Sequence, residues 1–283
     1  MQGWLTRKSY VFNATPVFAP PSSEKQRPAF IRYARQCASE KDVARSELLY
    51  ILQVTIPTRS RRLNEHRARA LRAMALGMLY HFNIASGLVM ASVEQLSDES
   101  GLSTVSDAGN KSITRVSRLL TDFLEPMGFV HCEKVRDRIM ESYIPKLITL
   151  TPLFFLLFDV SSEKVEKAQH QQMGWINKGL MEKGEESITL GEARRRAKKQ
   201  HIKRAFEYRQ SLHAMNKKHK LARRMAKLDE QTAKQTLLQK IIQRYSLVEL
   251  NEMGPKGLTN QVNIEYHCLR KVASTPPPDI PVH

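Results

Sequence analysis

Between Ala108 and Thr151 the spacing of apolar residues changes its period, and this change restricts the fold more than any other feature of the chain. Residues 108–126 carry a helical pattern. At about 100° per residue from Lys111, Ile113, Val116, Leu120, Phe123 and Leu124 fall on one side. Lys111, Thr114, Arg115, Arg118 and Asp122 fall on the other. Pro126 and Gly128 stop this helix. Phe129–Val135 and Tyr143–Thr151 then read as two strands around a charged tip, Arg136-Asp-Arg-Ile-Met-Glu.

The residues upstream fit the same unit. Leu71, Met74, Ala75, Met78 and Phe82 form the apolar face of a preceding helix. The segment Asn83–Gly87 breaks it, and Leu88-Val-Met90 suits a short strand. Ser92-Val-Glu-Gln95 is a capping-box pattern for a short helix ending at Gly101, where a left-handed residue is favoured. The order helix, short strand, helix, helix, strand, strand predicts a winged helix, a helix-turn-helix with a β-hairpin wing, over about residues 60–160.

The expected class is mainly α, with α+β character. Residues 1–30, with Pro16, Pro20, Pro21 and Pro28, read as an extended arm. Residues 31–160 are the winged-helix DNA-binding region, with one or two helices over 31–56 that either complete this domain or belong to a second. Residues 161–250 are a basic helical extension, and 251–283, with Pro255 and Pro276-Pro-Pro278, a poorly ordered tail.

Net charge is +17, with a sequence pI near 9.9, a balance suited to a polyanionic partner. It is localised. The segment 192–227 holds fourteen lysines and arginines against Glu192 and Glu207, a net +12. The strip 59–72 sets six arginines against Glu65, a net +5. These two segments account for the whole surplus, the pattern of a nucleic-acid footprint.

Candidate contacts follow. Lys111, Ser112, Thr114, Arg115 and Arg118 on the second helix of the pair would read a major groove, where an arginine can pair with a guanine edge. A solvated basic face on an ordinary amphipathic helix is the plainer alternative. Lys134, Arg136 and Arg138 at the hairpin tip would meet phosphate or minor groove, although Glu133 and Asp137 dilute their charge and leave a solvated turn open. Arg61 and Arg62 belong to the basic strip. Arg194, Arg195, Arg196, Lys198, Lys199, Lys203, Arg204, Arg223 and Arg224 would grip phosphates, with binding steeply dependent on salt.

Enzyme signatures are sparse. Gly109-Asn-Lys-Ser112 has the wrong spacing for a P-loop. The nine histidines are scattered, no His pair suits a nicking metal site, and His81 at a helix end suits a structural role. No cofactor or metal is expected, and the chain is read as a non-enzyme. Cys37, Cys132 and Cys268 form no C-x-x-C and suggest no disulfide framework, which fits a reducing cytoplasm. No signal peptide is expected, and Leu153–Phe158, the longest apolar run, is far too short to span a bilayer.

Several blocks occur in the order and spacing of one known family. They are Pro16-Val-Phe-Ala-Pro20, Arg59-Ser-Arg-Arg62, Arg69-Ala-Leu-Arg72, Leu79-Tyr-His-Phe82 and Gly101-Leu-Ser-Thr104. Further on come Ala108-Gly-Asn-Lys-Ser-Ile-Thr-Arg115, Arg118-Leu119, Tyr143-Ile-Pro145, Ile148-Thr-Leu-Thr-Pro152 and Phe158-Asp-Val-Ser161. Over roughly residues 10–230 the chain resembles the RepA replication initiators of IncFII-type plasmids. The resemblance implies theta-type replication and copy control of the encoding plasmid. It implies sequence-specific origin binding, and recruitment of host DnaA, the helicase DnaB and primase, without DNA nicking or ATP hydrolysis. A homodimer is left open. The alternatives are a winged-helix transcription regulator, a basic RNA-binding protein and a nuclease without a recognised motif.

Overall fold

A computed structural model describes residues 13–21, 26–55, 62–105, 111–137, 141–143 and 147–274. The chain divides between Ala205 and Phe206 into two compact units. It is mainly helical, with small antiparallel sheets.

In the first unit, α1 (Ala29–Glu40) and α2 (Glu47–Thr55) precede α3 (Glu65–Tyr80). Asn64 opens α3 by accepting a hydrogen bond from the Arg67 amide. The expected apolar face of α3 is buried, but so are Ala68, Ala70 and Ala73 around the rest of the helix, because α1, α4 and α5 surround it. Strand β1 (Leu88–Val89) and α4 (Val93–Glu99) follow. The Ser92 hydroxyl accepts from the Gln95 amide, the capping contact that the Ser-x-x-Gln pattern predicts. Gly101, just past the α4 cap, has φ +64°, the left-handed turn expected there.

The next helix is a correction. Residues 108–126 do not form one helix. Lys111–Ser112 is a strand, β3, paired antiparallel with β2 (Thr104–Val105). Helix α5 (Thr114–Leu119) begins only after it and continues as a π-helical turn, Leu120–Leu124, in which the Glu125 amide donates to the Leu120 carbonyl. The reason is local. The Ser112 and Thr114 hydroxyls bond each other at 2.8 Å, and the β2–β3 pairing takes backbone groups that a longer helix would use.

Strands β4 (Val130–Glu133) and β7 (Leu147–Leu150) flank a hairpin tip made by β5 (Arg136–Asp137) and β6 (Ser142–Tyr143). The main sheet has the order β1-β7-β4, all antiparallel. Thr149 of the central β7 faces Leu88 on one side and His131 on the other. The apolar run after it becomes α6 (Pro152–Leu156), which sends Phe154 and Phe155, with Phe158 beyond it, into the core. No described helix is long and apolar enough to cross a membrane.

The boundary expected near residue 160 falls inside this unit. Helix α7 (Ser162–Met181) places Val165 and Ala168 in the same core as Ile31, Leu49 and Phe123, so residues 29–55 and α7 belong to one body with the central helices. Helix α8 (Leu190–Met225) begins here and continues past the division.

In the second unit, the end of α8, α9 (Glu230–Arg244) and α10 (Leu247–Ser274) bury Ala222, Met225, Leu237, Ile241, Val262 and Tyr266 together. The expectation of a poorly ordered tail from residue 251 is therefore corrected as far as Ser274. Gly254 breaks α10 ahead of Pro255, but Val262, Tyr266 and Leu269 then recur at helical spacing and face the core. Residues 275–283 lie outside the described residues.

Candidate nucleic-acid interface

The two faces expected of α5 are present where the helix exists. Val116, Leu119, Leu120, Phe123 and Leu124 are buried, and Ile113 packs beside them. Thr114, Arg118, Thr121 and Asp122 are exposed. Arg118 is thus a cation held on a rigid element and directed to solvent, and the half-buried Ser112 lies just ahead of it through its bond to Thr114.

Two of the expected base readers are placed otherwise. Lys111 lies off the helix, in β3, and its ammonium reaches the carboxylates of Glu94 (3.1 Å) and Asp98 (2.5 Å) on α4. Partial burial alone would lower its pKa, but the hydrogen bonds it donates to Asp98 and Glu94 more than offset that and leave it raised. Lys111 braces α4. Arg115 is half-buried, and its Nη1 donates to the Asn13 carbonyl at 3.0 Å. Burial holds its pKa below the usual arginine value. Burial lowers the pKa of His66 on α3, and the nearby positive charge of Arg115 adds to this.

Lys134 and Arg136 are exposed on the hairpin. Arg61 and Arg138 lie outside the described residues. Arg62 is exposed, with its guanidinium 4.5 Å from the centre of the Tyr50 ring. Further along the arginine strip the charge is engaged internally. Arg72 donates to both oxygens of Asp42 (2.8 and 2.7 Å) and to Glu65 (3.0 Å), and Arg69 donates to Glu65 and to the Ala14 carbonyl.

On α8, Arg194, Arg195, Arg196, Lys199, Lys203 and Arg204 are exposed. Arg196 pairs with Glu192 one turn earlier, and Lys198 pairs with Glu133 of β4 at 2.6 Å, tying the start of α8 to the base of the hairpin. In the second unit Arg223 and Arg224 are exposed on the last turn of the same helix. There Arg209, His213, Lys217, Lys220 and Arg224 line one side, opposite the buried Ala222 and Met225.

Sequence reasoning missed the buried pair between His81 Nε2 and Glu99 (2.6 Å), which Gln95 supports by donating to the same carboxylate. The helix-end position of His81 was a signal of a structural role, but its partner was not visible. Among the described residues no group of three His, Cys, Asp or Glu side chains could hold a metal ion.

A basic, mainly helical protein with cations on ordered helix faces is the class these features define. The chain belongs to the IncFII RepA protein family, whose model matches residues 6–274. It is 57% identical over 281 residues to the probable replication-associated protein repA1 of Buchnera aphidicola subsp. Acyrthosiphon pisum, covering 97% of this chain and 99% of that one. It is 44% identical over 274 residues to a probable replication-associated protein repA2 of Buchnera aphidicola subsp. Schizaphis graminum, covering 95% and 98%. It is also 33% identical over 165 residues, 58% of each chain, to a replication initiation protein of Escherichia coli. No solved structure matches.

Proposed function

We propose that this protein initiates replication of the DNA that encodes it, by binding an origin sequence-specifically through a winged helix and bringing host DnaA, DnaB helicase and primase to it. The observation that carries the proposal is α5: one face fully buried, the other presenting Thr114 and Arg118, in a frame whose order is helix, strand, helix, short strand pair, helix, strand, hairpin, strand. In that frame α3, α4 and α5 are the three helices, β1, β4 and β7 the sheet, and the paired strands β5 and β6 the wing. A rigid helix with a buried back can lie in a major groove and discriminate bases.

The division of labour is then chemical. Arg118, with Thr114 and Ser112, reads base edges. Lys134 and Arg136 meet the backbone beside the site. The exposed cations of α8 supply sequence-independent phosphate binding. The protein acts by binding, as a cytoplasmic non-enzyme that needs no metal or cofactor, and the replication names of its relatives weigh against a promoter regulator.

The test is a mobility-shift titration with duplex DNA from immediately downstream of the gene, with unrelated duplex as competitor. Arg118→Ala should lower the preference for the downstream duplex by about 1–3 kcal/mol while leaving general affinity nearly unchanged. Equal binding of wild-type protein to both duplexes would defeat sequence-specific reading.

A further inference from the structure

The connection between α4 and α5 is met by a segment from 88 residues earlier in the chain. Asn13 holds both of its ends. Its side-chain Nδ2 donates to the Gly101 carbonyl at the end of α4 (3.1 Å), and its main-chain carbonyl accepts from Arg115 in the first turn of α5 (3.0 Å). The next carbonyl, Ala14, accepts from Arg69 of α3 (3.0 Å). Two consecutive residues thus fasten all three helices of the proposed DNA-reading unit.

The segment is seated in a place shaped for it. Asn13 is locked internally, since its Oδ1 accepts from the Thr15 amide. Pro16 and Phe18 point inward and are buried, whereas Val17 between them is 70% exposed. Phe18 packs 5.5 Å from the Tyr80 ring, and the Ala19 amide donates to the Glu99 carbonyl at 2.8 Å. Glycine stands where the strap comes closest. A Cβ at Gly101 would lie 2.8 Å from Asn13 Nδ2, and one at Gly77 would lie 3.1 Å from the Phe18 ring.

We infer that residues 13–21 are a strap that sets the angle between α4 and α5, and that Arg115 is a positioning residue which carries this constraint rather than a base contact. The inference rests on α5 being the DNA-reading helix. The strap adds nothing to phosphate binding. Its loss lets α5 tilt on α4, so the side chains that read bases lose their alignment while general affinity for duplex persists.

The test uses the full chain and four variants: Asn13→Ala, Arg115→Met, the double variant, and Arg118→Ala as a reporter of reading itself. Each is titrated with the downstream duplex and with an unrelated duplex of equal length, at two salt concentrations, beside a thermal melt. Arg115→Met should reduce the preference for the downstream duplex about tenfold, the size expected for loss of a hydrogen bond to a charged group, and Asn13→Ala, which removes the neutral bond to Gly101 and leaves its carbonyl in place, about fivefold. The double variant should be no worse than the single ones, because both changes break one connection. Salt dependence should match wild type. The exposed Asn13 side chain makes Asn13→Ala the decisive variant if Arg115→Met melts early.

Loss of preference in Arg115→Met alone would overturn the inference, since Arg115 would then touch DNA itself. Full preference in both single variants, with preference lost in Arg118→Ala, would also overturn it and leave α5 as the reader. Full preference in Arg118→Ala as well would instead remove the reading on which the strap depends.

Discussion

Asp42 and Glu65 share the guanidinium of Arg72, and this makes one arginine of the basic strip a structural group. The Arg72 hydrogen bond holds the Asp42 carboxyl below its ordinary pKa against the opposing effect of burial. Arg72 and then Arg69 do the same for Glu65. A carboxyl lowered in the folded state stabilises fully above its unfolded pKa, about 4, and loses that contribution as pH falls through the lower folded value. The protein should therefore lose thermal stability below about pH 4, and Arg72→Met should make that acid limb shallower. Melting curves from neutral to acid pH check this, and parallel limbs in the two proteins would count against it. Arg118 shares none of these carboxylates, which is why the two arginines have different consequences: one change is read in stability, the other in DNA preference.

Helix α4 is only Val93–Glu99, too short to persist without its caps and its packing against α3 and α5. Ser92 supplies the first cap, so Ser92→Ala should cost about 1 kcal/mol in a denaturant titration, with a shift in midpoint and no change in slope. A midpoint equal to wild type would show that tertiary packing alone holds this end. Short-range features of this kind were legible in the sequence: the Ser92 cap, the turn at Gly101, the buried side of α5, the hairpin after Gly128. Each is fixed by residues within a few positions of one another. What was not legible is set by distant partners. Asn13 meets Gly101 and Arg115 from 88 and 102 residues away, and nothing in the pattern around Arg115 separates a strapped guanidinium from an exposed one. Lys111 fits the polar face of a helix by spacing, but the carboxylates of Glu94 and Asp98, 17 and 13 residues earlier, hold it against α4. The stripe Val262, Tyr266, Leu269 was readable, and the prolines on either side of it masked it.

At the scale of the molecule, charge and core are separated. The large core of the first unit is built almost wholly from apolar side chains, and the cations of α8 sit outside it on exposed helix faces. Those cations differ in how available they are. Arg196 and Lys198 already have carboxylates in Glu192 and Glu133, whereas Arg194, Arg195 and Lys199 stand exposed on the same turns. A phosphate that replaces Glu133 at Lys198 must first break an existing ion pair, so it gains less than one meeting Arg194. Changing Arg194, Arg195 and Lys199 together to Gln should reduce the log–log salt slope of duplex binding by about 0.9 for each phosphate that is no longer neutralised. Lys198→Gln should change it less. Affinity should fall equally for downstream and unrelated duplexes, so the preference between them survives, the opposite outcome to Arg118→Ala. Titrations across a series of salt concentrations measure both quantities at once. A triple variant with the wild-type slope would place the phosphate grip on another part of the molecule, and a triple variant that loses preference as well as slope would mean that α8 takes part in reading the sequence.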